Sequence, residues 1–425
     1  MKIVICGFYG SGNMGDEAIL SAIINSIKSV YPKCKFTVLS RNPAETKRLH
    51  NVDAVFMSGF GINWVQTDFK KISKIFKESD LIVVGGGGLL QDAHIYLSIS
   101  NYLQVPILAK LYSKPVMFYS IGVGPIKNII NKILVHIIGN IVDLITVRDQ
   151  YSKDYLLSLQ VQKPSIILSA DPVFLLQPAS SATVKKILTE EGIPAQKPIV
   201  GVSVRNVGWT KVDLNEIAKF LDYLASYHKT TILFIPFGYD GVPTDLDTSR
   251  KVIEKMRERA YILEHRYSPS EIMGIIGQLN FLVGMRLHSI IMGGVMGVPT
   301  LGIAYLPKVK SALNILGYKD CHIIRDISDI NLVHMRKIFD NTLENEKEIK
   351  RNCRKSVKNL QKKAREAPLL LKEIPNRNIS KIKLFSIIFL LAISIAILSF
   401  LQLLQSRISP FIHSLKTYLL HKLPH

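Results

Sequence analysis

Cysteine is scarce: Cys6, Cys34, Cys321 and Cys353 are the four in 425 residues, and no two form a CxxC pair. That spacing excludes a disulfide framework and a cysteine zinc site, and it fits a reducing compartment. No His/Cys/Asp cluster has metal-ligand spacing, so no metal or other cofactor is expected. Acidic residues are also short, 33 against 54 Lys and Arg, which leaves a net charge of +21. There is no apolar leader at the N-terminus, where Met1-Lys2-Ile3-Val4-Ile5-Cys6-Gly7 reads as a buried first strand instead of a signal peptide. No internal repeat is present.

What the chain does have is length and a regular alternation of short apolar runs with helical patterns, the signature of parallel sheets built from βαβ units. Strands are expected at Lys2–Cys6, Lys35–Leu39, Ala54–Met57, Leu81–Val84, Val116–Ser120, Leu144–Val147 and Ser165–Leu168. A break rich in Pro and Gly, 177 to 198, reads as a linker around one short helix. The alternation restarts with Ile199–Val204, a helix around Asp213–His228, Thr231–Pro236, a polar helix around Thr248–Arg259, and then Ala260–Leu263, Phe281–Val283 and Thr300–Ile303. The pattern implies an α/β protein of two Rossmann-like domains facing a cleft, residues 1–177 and 199–346. Ligands of such folds bind outside the carboxyl ends of the strands.

The positive charge is concentrated. Residues 347–383 hold thirteen Lys and Arg against Glu348, Glu366 and Glu373. A run of this kind fits nucleic acid, a solvated helix face or anionic lipid. Residues 384–404, LFSIIFLLAISIAILSFLQLL, carry no charge and are long enough to cross a bilayer core. A transmembrane helix is therefore expected, preceded by a basic juxtamembrane segment and followed by an amphipathic tail, 405–425. The positive-inside rule then places the folded body at the cytoplasmic face, a single-pass C-terminal anchor, with the membrane rather than nucleic acid as partner. An in-plane helix is the alternative, kept open by Gln402, Gln405 and the amphipathic remainder.

Chemistry gathers at the predicted strand ends. In FLVGMRLHSII an apolar strand runs into Arg286 and His288. Arginine offers a planar fork for a carboxylate or phosphate, and histidine a proton donor or acceptor near neutral pH. Together they fit an anionic substrate and proton transfer, although Arg286 could instead pair with a buried carboxylate and His288 cap a helix. The first strand ends in GFYGSGNMGDEAIL, where Gly10, Gly12 and Gly15 match a weak dinucleotide fingerprint. Asp16 and Glu17 at the helix start would repel a pyrophosphate, so a sugar hydroxyl or a structural cap suits Asn13 and Asp16 better. A second cluster, GGGGLLQD, places Gly87, Gln91 and Asp92 after another strand, with sugar binding or helix capping as their uses. His94, His136, His228 and His265 are expected at the surface or in supporting roles. Trp64 and Trp209 are the two tryptophans, and Trp209 follows Arg205 closely enough to stack on a sugar.

These segments, with SIGVGP, Val147-Arg148-Asp149, ADPVF, GVSVR, GMRLH and GVPTLGIAY, resemble the polysaccharide pyruvyl transferase family, and in particular its CsaB-type members that modify bacterial cell-wall polymers. Each piece is weak alone, but their order over roughly residues 1–325 is specific. The membrane tail lies outside the resemblance. The resemblance implies a GT-B-like fold and transfer of the pyruvyl unit of phosphoenolpyruvate to a sugar as a cyclic ketal, with release of phosphate. It implies His288 and Arg286 as catalytic and Arg205 as donor-binding, with Lys308 and Arg148 as further cations around the donor. Residue chemistry agrees, since phosphoenolpyruvate carries a carboxylate and a phosphate and needs several convergent cations. Asp16 and Asp92 are both candidates for the base that deprotonates the acceptor. Anchoring at the inner leaflet makes a lipid-linked saccharide a reasonable acceptor. The alternatives are a GT-B glycosyltransferase using a nucleotide sugar and a non-catalytic membrane adaptor that binds anionic glycans.

Overall fold

The computed structural model describes residues 1–425 apart from 58–67, 93–96, 195, 207–211, 242 and 421–425, with side chains described to Leu403. Trp64, His94 and Trp209 lie outside the described residues. The first half runs β1 Lys2–Cys6, α1 Met14–Val30, β2 Lys35–Ser40, α2 Pro43–His50, β3 Asp53–Phe56, α3 Phe69–Glu78, β4 Leu81–Gly85, α4 Ser98–Leu111, β5 Val116–Ile121, α5 Ile129–Gly139, β6 Leu144–Val147, α6 Gln150–Ser158 and β7 Ser165–Leu168. A 3-10 turn, Pro172–Leu175, and α7 Ser181–Glu190 lead into the second half. There follow β8 Ile199–Ser203, α8 Leu214–Tyr227, β9 Thr231–Phe234, α9 Asp245–Ile253, β10 Ala260–Ile262, α10 Pro269–Ile276, β11 Phe281–Gly284, α11 Leu287–Met296, β12 Thr300–Ile303, α12 Pro307–Ile315 and β13 Ile323–Ile324. The chain ends in α13 Leu332–Glu344, α14 Glu346–Leu369 and α15 Lys381–Leu420.

Two parallel sheets result, one ordered β3-β2-β1-β4-β5-β6-β7 and the other β10-β9-β8-β11-β12-β13. Strands covered by helices on both faces must be apolar throughout, and β4, β5, β6, β8, β9, β11 and β12 are buried at every position. In both sheets the order reverses beside the first strand, between β1 and β4 and between β8 and β11. Connections leave such a point in opposite directions, so the loops there part and open a crevice.

The two halves share one continuous core. Ile19 and Ile23 of α1, Phe174 of the 3-10 turn, Val184 of α7, Met273 of α10, Ile290 of α11 and Val357 of α14 belong to the same buried cluster. The stretch expected as a basic juxtamembrane segment is in large part α14, which buries Ile349, Cys353, Val357, Ala364 and Ala367 along one face and packs on α1 and α11. Its lysines and arginines form the opposite, solvated face, because an amphipathic helix of this kind buries only a stripe.

Candidate active site

The loops at both switch points carry the residues with chemistry. After β1, Gly10 and Gly12 adopt φ of 68° and 63°, left-handed values that disfavour a side chain. Gly10 N–H donates to Glu17 Oε1 at 2.8 Å, and Glu17 Oε2 meets Nε2 of buried His50 at 2.7 Å. Asn13 Oδ1 accepts from Gly15 N–H and caps α1. The loop also crosses to the other domain: Met14 N–H donates to Phe237 O and Tyr239 N–H to Gly12 O, both at 2.8 Å. Asn13 and Gly238 thereby form an antiparallel bridge. The glycine-rich turn thus joins the domains through its backbone.

α1 brings its N-terminus against α11. An added Cβ on Gly15 would lie 2.1 Å from His288 Nδ1, so the absence of a side chain there is what lets the imidazole sit at the start of α1. Gly87, at φ 74°, likewise lies close to Asp16, an added Cβ falling 3.0 Å from Oδ1. The GGGG cluster thus serves the approach of α1 to β4. His288 Nε2 is buried, forms no hydrogen bond among the described residues, and stands 3.6 Å from Asp171 Oδ2. That carboxylate oxygen is also 3.5 Å from Arg148 Nη1. Among the described residues neither His288 Nε2 nor Asp171 Oδ2 makes a hydrogen bond, so these two acid–base groups at the domain junction keep hydrogen-bonding capacity for a ligand atom.

The four expected cations converge. Arg148 leaves the end of β6 and lies against Gly122, where a Cβ would fall 2.7 Å from Nε. Arg205 follows β8 and donates from Nη1 to Tyr305 Oη at 3.2 Å. Lys308 stands in the first turn of α12, and Arg148, Arg205, Arg286 and Asp16 all act on its charge. Burial, with the guanidinium of Arg148, pushes the Lys308 ammonium down to about 8, against the pull of Asp16. Burial pushes the Asp16 carboxyl up to about 6 even though His288 and Lys308 favour its ionised form. Burial would also raise Asp171, but the His288 imidazole and Arg148 outweigh it and hold that carboxyl below the usual range. A carboxylate and an ammonium poised on either side of neutrality, among guanidiniums, form a setting for proton transfer on an anionic substrate.

Arg286 makes the pairing that the sequence left open as the alternative to ligand binding. Nε and Nη2 donate to Asp245 Oδ2 and Oδ1 at 2.7 and 2.5 Å, so most of its fork is given to a buried carboxylate. Burial works against the charge, yet Asp245 more than compensates and raises the guanidinium above its ordinary pKa. Among the described residues Nη1 makes no hydrogen bond, which leaves one edge for a ligand. The other expected contacts separate. Asn13 is an N-cap, and Gln91 folds its amide over Gly88. Asp92 accepts from Lys127 N–H, Asn128 N–H and Asn131 Nδ2 at 2.7, 3.0 and 2.9 Å. Its carboxylate thus holds the start of α5, whereas Asp16 reaches the cationic cluster. Asp171, Asp245 and Tyr305 were not expected as site residues. Asp171 had a visible signal, a carboxylate before proline at the end of β7; Asp245 had none beyond its place at the start of a helix. Among the described residues no three His, Cys, Asp or Glu side chains converge as metal ligands.

Fold and site together define a two-sheet α/β protein of GT-B-like architecture in which cations and acid–base groups meet at the junction of the two halves. Residues 13–307 match the polysaccharide pyruvyl transferase family, and the chain belongs to it. A curated relative, the amylovoran biosynthesis protein AmsJ of Erwinia amylovora, is 20% identical over 400 residues, 83% of this chain and 95% of that protein. Among solved structures, S. aureus MnaA with UDP superposes with a TM-score of 0.60 at 10% identity, covering 89% of this chain and 99% of that one. Anabaena HepE with UDP gives 0.57 at 12% identity, covering 88% and 99%. At those identities the likeness concerns the fold alone. The chain is thus a transferase of polysaccharide biosynthesis.

Proposed function

We propose that this protein transfers the pyruvyl unit of phosphoenolpyruvate to a sugar residue of a lipid-linked cell-wall or surface polysaccharide precursor, forming a pyruvate ketal and releasing phosphate. The observation that carries the reading is the convergence of Arg148, Arg205, Arg286 and Lys308 around Asp16 and His288. A donor bearing a carboxylate and a phosphate requires such a set, and Arg286 Nη1, Arg205 and Lys308 are its natural contacts. His288 gives a proton to the methylene carbon of the donor as C2 becomes electron-poor. A sugar hydroxyl attacks C2 and yields its proton to Asp16. The C2–O bond to phosphate then breaks, the cations taking up the charge that develops on the leaving group. A second hydroxyl of the sugar closes the ketal on C2, and its proton leaves with phosphate or solvent. One donor and two hydroxyls thus give one ketal and one phosphate. Asp171, 3.6 Å from His288 Nε2, balances the cationic form of the imidazole by its charge.

The body works at the cytoplasmic face of the cell membrane, held by the one helix that is long and apolar enough among the described residues, Lys381–Leu403. The test is phosphate release from phosphoenolpyruvate with lipid-linked and free amino-sugar acceptors, followed by mass spectrometry of the acceptor. Acceptor-dependent phosphate and a gain of about one pyruvyl unit are expected, and His288→Ala should abolish both, since general acid catalysis contributes about a hundred-fold or more. Sugar transfer from a nucleotide donor, with no pyruvylation, would refute the chemistry.

A further inference from the structure

The C-terminal helix does not stand free of the enzyme body. Leu384, Ile387, Leu391, Ser394 and Leu398 of α15 are buried at alternating spacings of three and four, the seam of a helix packed along others. Their partners are α4 and α5. α4 is buried around most of its circumference because the sheet covers one side and α15 the other. The entry into α15 is latched as well. Lys110 of α4 and Asp143 form an ion pair at 2.6 Å with side chains 1% and 0% exposed. Asp143 Oδ1 accepts Arg377 N–H at 2.8 Å, Lys110 Nζ donates to Arg377 O at 3.0 Å, and Asn376 Nδ2 donates to Ser113 O at 2.9 Å.

The outer side is apolar. On α15, Ile382, Phe385, Phe389 and Phe400 are 83%, 71%, 62% and 61% exposed, and on α5 Ile129 and Ile133 are 65% and 46% exposed. Residues after Glu373 include no acid, and neither does the stretch from 127 to 142 that contains α5, whereas Lys127, Lys132, Lys381 and Lys383 lie on these two segments. An apolar face edged only by cations complements an anionic lipid leaflet.

We propose that α15 lies in the plane of the membrane, with α5 beside it, so that the enzyme is held by one face without crossing the bilayer. If α15 stood across the bilayer, its seam with α4 would have to separate, or the polar groups of α5 such as Lys132 and His136 would enter hydrocarbon. The in-plane arrangement needs neither. It also fixes the cleft at a set height above the lipid headgroups, where a lipid-linked acceptor presents its sugars. The proposal rests on the membrane part of the functional reading and is independent of which group is transferred.

The experiment uses the full chain and vesicles of phosphatidylcholine and phosphatidylglycerol. In a Cys321→Ser background, single variants Ile133→Cys, Phe385→Cys and Phe400→Cys carry a polarity-sensitive fluorophore, whose depth is read by quenching with brominated lipids. All three are expected at a similar shallow depth. In cells, a C-terminal tag should remain accessible from the cytoplasmic side. The double variant Ile129→Glu, Ile133→Glu, which touches only exposed positions of α5, should lower vesicle partitioning by about tenfold or more. A water-exposed label at 133 with a label at 385 shallow and one beyond midplane at 400, or a tag on the far side of the membrane, would overturn the proposal, and neither outcome depends on phosphate release.

Discussion

The sharpest quantitative test concerns the Arg286–Asp245 pair. The carboxylate is 4% exposed and the guanidinium 16%, joined by two hydrogen bonds of 2.7 and 2.5 Å. Asp245 also accepts Phe237 N–H at 3.1 Å, so it ties the end of β11 to the loop that carries the interdomain bridge. Removing one member of a buried pair leaves the other charge desolvated without compensation and costs about 3–5 kcal/mol. Asp245→Ala should reach that range. Asp245→Asn, which keeps an oxygen for the fork, should cost about 2 kcal/mol, near the strength of a single charge-assisted hydrogen bond.

The same helix supplies a control. Arg250 and Glu264 form a pair at 2.6 Å, but with side chains 51% and 44% exposed. Breaking an exposed pair costs at most about 1 kcal/mol, so Glu264→Ala should be nearly silent. Urea unfolding followed by fluorescence gives the stabilities, and apparent affinity for phosphoenolpyruvate gives the functional effect. Arg286→Lys should lose both stability and donor affinity, because an ammonium cannot hold Asp245 through two bonds and also present an edge to the substrate. If Asp245→Ala costs no more than Glu264→Ala, or if Arg286→Lys binds donor normally, the reasoning fails.

Two further predictions concern the poised groups and the close contact at His288. Catalysis by ionised Asp16 and charged Lys308 predicts a kcat/KM that is lost as pH falls below about 6, and a loss above about pH 8 to which Lys308 contributes and which Lys308→Arg should lessen. Stability should run the other way: folded Asp16 binds its proton more readily than the ordinary carboxyl at 3.8, so its contribution grows as pH falls below about 6. Folded Lys308 releases its proton more readily than an ordinary lysine at 10.5, so its contribution grows as pH rises above about 8. A stability maximum in the activity window, traced to these two residues by substitution, would contradict both assignments. Gly15→Ala would place a methyl 2.1 Å from His288 Nδ1, and activity should drop by about a hundred-fold or more, the scale of a misplaced catalytic group, while the fold persists by circular dichroism. Unchanged turnover would show that His288 does not work from this position.

The strands were legible because parallel strands covered on both faces are continuous apolar runs, and β1, β6, β7 and β12 begin and end where the sequence places them. β13 was not, since two residues at a sheet edge carry no pattern. The polar helix read as Thr248–Arg259 is α9, Asp245–Ile253; its start is set by the capping box of Thr244 with Asp247, and its end precedes the charged residues that prolonged the apparent period. In α14 the number of charges concealed the apolar stripe from Ile349 to Ala367, so a helix that closes the domain interface read as a lipid-facing run. Single site residues were visible wherever a cation or imidazole followed an apolar strand, as with Arg148, Arg205 and His288. Their carboxylate partners were not, because pairing such as Arg286 with Asp245, 41 residues apart, is decided by which strand ends the topology brings together.

That topology also bears on how the site is prepared. In a two-domain cleft, closure is the usual way to complete a catalytic constellation. Here Met14 and Gly12 of one domain are hydrogen-bonded to Phe237 and Tyr239 of the other, on either side of the Asn13–Gly238 bridge, and the core beneath runs through both. Widening the cleft at this edge would break two backbone hydrogen bonds, worth about 1 kcal/mol each, and separate the apolar surfaces of α1, α10 and α11. Asp16, one residue beyond Gly15, and His288, at the start of α11, sit beside that bridge and not across an open gap. Their separation is therefore set by the fold itself. The glycines of the first turn thus work by allowing two domains to meet so closely that Asp16, His288 and the surrounding cations are held in one place.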